Sequence, residues 1–396
     1  MARIGIVGGG PAGSTLALHL LARGVDPDDL LIFDAACFPR DKLCGGAITW
    51  RGTEAIRSLV GEPPGGVHTG GIAFRSRAGT PLTVIERGDQ WIYDRGALDH
   101  ALLGHVIDAG VEVRQGEKVS ALEPGVDGWR IRTKHGVEHV QWVCGADGAC
   151  GISRPQSGLR GGLVGRLVEA IYEPIGDAPD PSRLHFDYDP VLDGIPGYAW
   201  AFPYPAPDGT RGYWKLGVMD GRGRVPGHRL RAWTEAFAER RGFRRVSDTI
   251  RGWPERYLTR GTRAHRPGLV LVGEAYGIDP LLGEGIAPAI EHASYTAGRL
   301  RDALDRGSPR IRGFERGFLL GTTEGRNLLF QARLADLVYG RWGAFWLEAL
   351  FELPRLRHLA EAGGDAYGRL ARRAPSLFVS WLGHSLRRGL RPRGAT

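Results

Sequence analysis

The sequence lacks long apolar runs and is poor in cysteine. No run in the 396 residues approaches the ~20 apolar residues of a membrane-spanning helix. The N-terminal RIGIVGGGPAG meets glycines too early for a secretory signal, so we expect no signal peptide. The four cysteines (Cys37, Cys44, Cys144 and Cys150) form no CxxC pair. This excludes a disulfide framework and favours a reduced, cytoplasmic setting.

Lysine is also scarce, since it stands only at positions 42, 118, 134 and 215, and the net charge of +8 therefore comes from arginine. Runs such as RRGFRR (240–245) could meet nucleic acid or anionic lipid. No nucleic-acid motif accompanies them, so we interpret them as solvated surfaces. His135 and His139 have a spacing seen in metal ligands, but Gly136 between them predicts a hairpin turn. We expect no metal site there.

Residues 3–34 follow the order of a dinucleotide-binding unit: strand RIGIV, turn GGGPAG, helix STLALHLLARG and strand LLIFD. Gly8, Gly10 and Gly13 fit GxGxxG, in which the glycines allow a tight turn, approach of a pyrophosphate and close packing of helix on strand. The helix N-terminus offers amide groups to phosphates. Asp34 ends the second strand, where a carboxylate can bind ribose hydroxyls.

Three later segments add to this unit. WIYDRGALDHALL (91–103) places Arg95 before an amphipathic helix, and WVCGADGAC (142–150) is a strand that leads to Asp147 and Gly148. Residues 268–293 combine a buried strand, an acidic turn at Glu274, a glycine-rich loop and a helix near Gly285.

With these motifs the chain resembles, over roughly residues 1–300, the flavoprotein group of aromatic hydroxylases, flavin halogenases and geranylgeranyl reductases. The resemblance implies FAD. The group usually has Gly-Asp where this chain has Gly273–Glu274, and the helix near Gly285 would stabilise negative charge on the N1–O2 side of a reduced flavin. The FAD-binding residues it implies are Gly8, Gly10, Pro11, Ala12, Gly13, Asp34, Arg40, Cys44, Gly45, Gly46, Arg95, Val119, Asp147, Gly148, Glu274, Asp279, Gly283, Gly285 and Ile286.

The remaining segments predict antiparallel strands, among them a hairpin at 71–88 and several strands in 160–220. The predicted fold is α/β + β: a Rossmann-like FAD-binding domain with an inserted antiparallel-sheet substrate domain and a C-terminal helical region. The expected boundaries are 1–70, 91–160 and 262–310 for the FAD domain, 71–90 and 161–261 for the sheet domain, and 311–396 for the helical region. Because no second GxGxxG unit is present, electrons are expected from transient NAD(P)H, a protein donor or the substrate.

The stretch GYAWAFPYP (197–205) puts Tyr198, Trp200 and Phe202 on one face of a strand. Such a face often only packs in a core. The stretch resembles the YxWxFP signature of geranylgeranyl reductases, which implies that the three rings contact an apolar substrate. In KLGVM (215–219) the family's first glycine is kept as Gly217, whereas Met219 replaces the second.

PRDKLCGG (39–46) resembles the family's PRxKxCGG stretch, whose cysteine approaches the flavin ring. Gly45 and Gly46 leave room for the ring or the substrate, so Cys44 is predicted to act as a proton donor or as a small wall of the pocket. A buried structural thiol is the alternative. Tyr198 is the second candidate for acid catalysis, followed by Tyr204 or a bound water.

The motifs together predict an FAD-dependent oxidoreductase that reduces or dehydrogenates a carbon–carbon bond of an isoprenoid-like or other apolar substrate by hydride transfer at flavin N5. A monooxygenase is the alternative. Halogenation is disfavoured because 45–117 contains no lysine and the halogenase WxWxIP stretch is absent. The aromatic, arginine-flanked segment 328–360 could contact a membrane surface, or pack on the body and cover the cavity.

Overall fold

The computed structural model describes residues 3–204 and 212–352, with no side-chain description for 84–89. Its first layer is a sheet of six strands, five of which run parallel. Apolar, β-branched runs form its centre, where strands buried on both faces are expected. In sheet order the strands are His265–Arg266, Leu269–Leu271, Trp142–Gly145, Ile4–Val7, Leu30–Asp34 and Glu112–Gln115.

The second layer is a larger, mostly antiparallel sheet. The hairpin expected at 71–88 is present, but its strands extend to Gly66 and Tyr93, beyond the predicted limits. One pair departs from the expected antiparallel pattern, because Arg183–Asp187 runs parallel to the hairpin's first strand. The strands are Ala47–Ile48, Gly66–Ser76, Gly79–Tyr93, Leu163–Pro174, Arg183–Asp187, Ala199–Tyr204, Tyr213–Asp220, Phe243–Arg245 and Arg251–Tyr257.

A small third sheet contains Ala121–Pro124, Trp129–Thr133 and Gly136–Val140. Its last two strands form the hairpin predicted around Gly136. Ten α-helices lie in the described part of the chain: Pro11–Leu21, Trp50–Val60, Arg95–Asp108, Ser153–Ser157, Asp189–Leu192, Gly227–Arg240, Ile286–Asp305, Phe314–Gly321, Thr323–Val338 and Gly343–Glu352. Two short 3₁₀ segments, Pro27–Asp29 and Gly273–Ala275, complete them.

The architecture is mixed α/β, with one mainly parallel sheet and one mostly antiparallel sheet. Helices Pro11–Leu21 and Ile286–Asp305 pack together, and both contribute to one core with the strands of the parallel sheet. A second core lies under the larger sheet and includes residues of the last two described helices, such as Ala335 and Phe351. Residues 353–396 lie outside the described part. Within that part, no helix is both long and apolar enough to span a membrane.

Candidate functional site

A cavity of about 610 Å³ lies where the parallel sheet meets the larger sheet. Its volume is in the range of small-molecule and cofactor sites. Most of the residues predicted for the site line it: Gly8, Gly10, Pro11, Ala12, Asp34, Arg40, Cys44, Gly45, Gly46, Arg95, Val119, Asp147, Gly148, Tyr198, Trp200, Phe202, Glu274, Gly283, Gly285 and Ile286. Gly13 and Asp279 are the exceptions.

Each of the three motif glycines in the glycine-rich turn has a different structural role. Gly8 has φ of +107°, in a region that favours glycine, and a Cβ there would crowd Ala146. A Cβ on Gly13 would overlap the Gly8 carbonyl oxygen, so this glycine brings helix and strand together instead of facing the cavity. A Cβ on Gly10 would have one neighbour within 4 Å among the described residues, the Arg40 guanidinium at 3.2 Å. The cavity side of Gly10 is therefore open to a ligand.

The end of the second parallel strand supplies charged groups beside this turn. The Asp34 carboxylate accepts hydrogen bonds from Gly9 N (2.7 Å) and Ala36 N (2.8 Å), which fixes it at the mouth of the turn. Arg40 lies 3.1 Å from the buried carboxylate of Asp99, with which Arg95 also forms two hydrogen bonds. Burial disfavours the Arg95 cation, but the Asp99 carboxylate and the Cys44 sulfur raise its pKa overall. The sequence predicts that Arg95 precedes its helix, whereas in the structure Arg95 is the first helical residue.

Asp147, Gly148 and Glu274 form one wall of the cavity. Asp147 Oδ2 accepts hydrogen bonds from the amide and hydroxyl of Ser153, whereas its buried Oδ1 has no hydrogen-bond partner among the described residues. Glu274 Oε1 accepts a hydrogen bond from Arg256 N at 3.3 Å, and its other oxygen lies 3.5 Å from where a Gly148 Cβ would stand. Burial raises the pKa of both carboxyl groups. Two carboxyl groups thus belong to this wall.

The loop that carries Cys44 is anchored from the larger sheet. Cys44 N donates to Glu169 Oε1 at 3.0 Å, and Lys215 Nζ donates to the Cys44 carbonyl at 2.8 Å. Gly46 N donates to the Cys44 sulfur at 3.4 Å. Gly45 faces the Phe202 ring, which a Cβ would approach to 3.0 Å. The thiol is therefore held at the boundary between the two sheets.

Asp279 is not among the residues that line the cavity, and its contact with a cofactor stays a prediction. Its buried carboxylate accepts hydrogen bonds from Leu281 N (2.7 Å) and Leu282 N (3.1 Å) and so shapes the loop 279–285 from behind. Gly283 in that loop has φ of +68°, and Gly285 is the N-cap of helix Ile286–Asp305. The N-terminus of this helix reaches the cavity as expected.

Tyr198, Trp200 and Phe202 project from one face of the larger sheet into the cavity. Tyr198 and Phe202 each lie 5.1 Å, centroid to centroid, from the Phe186 ring. Gly217 is required behind them, because a Cβ there would overlap the Trp200 ring. Ile72, Leu167, Leu184, Phe186, Met219, Ile278 and Leu282 complete this apolar surface. We call the Tyr198, Trp200, Phe202 and Phe186 rings the aromatic wall.

Tyr204, the later candidate for an acid, lies elsewhere. Its hydroxyl donates to Asp94 Oδ2 at 3.1 Å, and the residue is not among those that line the cavity. Tyr198 does line it, but its hydroxyl donates to the Leu282 carbonyl. Burial raises the pKa of the Tyr198 phenol well above its ordinary value.

Comparison with known proteins identifies the fold. No protein-family model matches the chain. Digeranylgeranylglycerophospholipid reductase of Thermoplasma volcanium is 25% identical over 368 residues, 84% of this chain and 87% of that protein. The crystal structure of a geranylgeranyl bacteriochlorophyll reductase-like protein from Thermoplasma acidophilum superposes with a TM-score of 0.77 at 18% identity, covering 95% of this chain and 98% of that one. The chain has the fold of the geranylgeranyl reductase-like flavoproteins.

Other flavoproteins share this fold. Halogenase PltM, solved in complex with phloroglucinol and FAD, superposes with a TM-score of 0.67 at 15% identity, covering 99% of this chain and 93% of that one. The resemblance predicted from the motifs is thus confirmed for both branches, the geranylgeranyl reductase-like proteins and the halogenases.

Several ionisable residues that line the cavity were not predicted as part of the site, and two of them bear on its chemistry. Lys42 and Glu255 both line the cavity. Lys42 Nζ lies 4.1 Å from the centre of the Trp253 ring, and burial lowers its pKa. Lys42 stands in the PRDKLCGG stretch. Because the sequence has only four lysines, a lysine in this motif could have been singled out. Glu255 lies in a strand with no motif, so nothing local distinguishes it from a surface residue.

Proposed function

We propose that the protein is an FAD-dependent oxidoreductase that reduces or dehydrogenates a carbon–carbon bond of an apolar, isoprenoid-like substrate. The observation that carries this proposal is a single cavity that joins a glycine-rich phosphate cradle to the aromatic wall. A dinucleotide bound at the turn would extend its other end toward Cys44 and the wall. Such a ligand would bring a redox group against an apolar surface.

The residues present fit FAD. Gly10 leaves an open approach for a pyrophosphate, and the helix Pro11–Leu21 directs its N-terminal amides toward it. Asp34, which Gly9 N holds beside the turn, would bind ribose hydroxyls. Asp147 Oδ1 is a buried acceptor with no partner among the described residues, and a bound cofactor would supply a donor. Bound FAD would supply two-electron hydride transfer. The helix that begins at Ile286 would stabilise negative charge beside it.

The aromatic wall supports an apolar substrate. Its rings and the neighbouring aliphatic side chains would exclude water from the reacting bond, while Gly45 and Gly46 leave space at the Cys44 loop. The names of the Thermoplasma relatives refer to geranylgeranyl compounds, which agrees with an isoprenoid-like class. Reduction would need electrons from NAD(P)H or a protein donor. Membrane contact through the C-terminal region stays a proposal, and much of that region lies outside the described residues.

The proposal is tested by isolating the protein and identifying its bound flavin. We expect stoichiometric FAD, which anaerobic reduction bleaches and geranylgeraniol reoxidises with gain of two hydrogens in the product. Absence of FAD after reconstitution would refute the proposal.

The monooxygenase alternative is separated by the same sample in ¹⁸O₂. Incorporation of ¹⁸O into an apolar or aromatic product would establish hydroxylation and replace the reductase assignment. We expect no incorporation.

A further inference from the structure

Glu255 is a carboxyl group that faces the cavity without an assigned role. It lies in strand Arg251–Tyr257, opposite Gly165 of the neighbouring strand. It lines the cavity, and none of the salt bridges in the described part of the chain involves it. Burying a carboxyl group costs free energy unless the group is neutral or paired. Its presence in the cavity wall therefore indicates a function.

The nearest groups place Glu255 against the loop 279–285. Both of its carboxyl oxygens lie 3.6 Å from the position of a Cβ on Gly283, and the Tyr198 hydroxyl lies 3.4 Å from the same point. Tyr257 OH donates a hydrogen bond to Glu255 Oε2 at 2.5 Å. That leaves Oε1 available to carry a proton. A ligand that rests on Gly283 and the aromatic wall would meet Glu255.

Burial favours the neutral acid. Burial raises the pKa of Glu255 to about 8, the Tyr257 hydrogen bond and Lys42 act against this, and Glu274 and Glu169 add to it. Around neutral pH the carboxyl group is therefore mostly protonated, yet close enough to its pKa to give up the proton. A general acid works best when its pKa lies near the operating pH.

The other candidate acids are less suited. The Tyr198 hydroxyl already donates to the Leu282 carbonyl, and its raised pKa makes it a weaker acid. The Cys44 sulfur accepts a hydrogen bond from Gly46 N and lies near the Arg95 cation. Neither contact orients the thiol proton toward the substrate. Glu274 accepts from Arg256 N on the wall with Asp147 and Gly148.

We propose that Glu255 is the proton donor of the reduction. Its Oε1–H bond breaks and a C–H bond forms at one carbon of the double bond. Bound FAD, with electrons from a nicotinamide or protein donor, would supply the hydride for the other carbon. Glu255 remains as a carboxylate that Tyr257 OH stabilises, and water returns its proton. Cys44 is then a wall of the pocket. This inference rests on the proposed function.

The test uses the full chain loaded with FAD and four variants: Glu255→Gln, Glu255→Asp, Cys44→Ala and the control Glu239→Gln, an exposed helix residue. Single-turnover reoxidation of the reduced protein by geranylgeraniol should slow by about 10²–10⁴-fold in Glu255→Gln, with partial rescue in Glu255→Asp. The wild-type rate should fall as pH rises through about 8. Cys44→Ala should stay within about tenfold, the reverse of the ranking expected for a thiol donor.

An infrared measurement tests Glu255 without turnover. The difference spectrum of wild type minus Glu255→Gln should show the carbonyl band of one protonated carboxylic acid that disappears near pH 8; the Asp279 band, present in both proteins, cancels. If the band is unchanged in that variant, or if Cys44→Ala is slow and Glu255→Gln is not, the assignment is overturned. If the wild-type protein holds no FAD or accepts no alkene, the proposed function fails, and the infrared band still decides the state of Glu255.

Discussion

At the scale of single residues, Gly10 is where a small change should have the largest effect on the cofactor. Gly10→Val places two methyl groups on the open cavity side of the turn, where the Arg40 guanidinium is the one near group among the described residues. We expect the variant to fold but to lose FAD, because the branched side chain fills the space that a pyrophosphate needs. The measurement is the FAD-to-protein absorbance ratio after reconstitution and gel filtration. Gly176→Val, with open space around it, is the matched control; a Gly10→Val protein that keeps full FAD would show that phosphates do not lie there.

Residues with a local signature could be predicted, and residues recruited across the fold could not. Gly8, Gly10 and Asp34 belong to one strand–turn–helix–strand unit whose spacing alone implies their positions. Glu255 reaches the cavity only because its strand pairs with Leu163–Pro174 and thereby faces the loop 279–285. That pairing is a long-range property of the sheet. A charged residue in such a strand looks like a solvated one in the sequence.

At the scale of one element, Asp279 should control the loop that precedes helix Ile286–Asp305. Burial raises its pKa from 3.8 to about 7, although the Leu281 and Leu282 amides lower it. The proton stabilises the native state fully below the unfolded pKa, and this contribution is lost as pH rises through about 7. Asparagine cannot titrate and keeps one acceptor. The free energy of unfolding of Asp279→Asn, relative to that of wild type, should therefore increase as pH rises from about 4 to about 8. The expected increase is on the order of a few kcal/mol, at about 1.4 kcal/mol per pKa unit.

Urea unfolding of the FAD-free protein at both ends of this pH range measures the difference. Asp127→Asn, an exposed residue between two strands, is the control and should show no such trend. A constant difference between Asp279→Asn and wild type would contradict the buried, titrating carboxyl group.

Elements were predicted well where periodicity and turn residues agree, as for Leu30–Asp34 and for the helix after Gly285. The helix predicted from Ser14 begins at Pro11, since proline is accepted in the first turn of a helix. The parallel pairing of Arg183–Asp187 with the 71–88 hairpin was missed. Strand direction depends on the path of the intervening chain, which the alternation of side chains does not encode.

At the scale of the whole molecule, the last described helices belong to the body of the protein. Tyr339 OH donates to the Leu281 carbonyl at 2.5 Å, and Thr80 N donates to Glu352 Oε1 at 2.9 Å. The helices thus contact both the loop 279–285 and the 71–88 hairpin. The described part of the segment 328–360 is therefore packed on the body, which was one of the two alternatives expected from the sequence.

A pair of aromatic variants tests this packing. Phe351 is buried and lies 6.4 Å, centroid to centroid, from Tyr188 of the core under the larger sheet, whereas Trp342 is 42% exposed. Phe351→Ala should lower the free energy of unfolding by about 3–5 kcal/mol, since it leaves a cavity that the core fills only in part. Trp342→Ala should change it by less than about 1 kcal/mol, as expected for a surface position. Urea unfolding of the full chain compares them. Equal, small losses would mean that this helix does not pack on the sheet, and its apolar residues would then be free to meet a membrane.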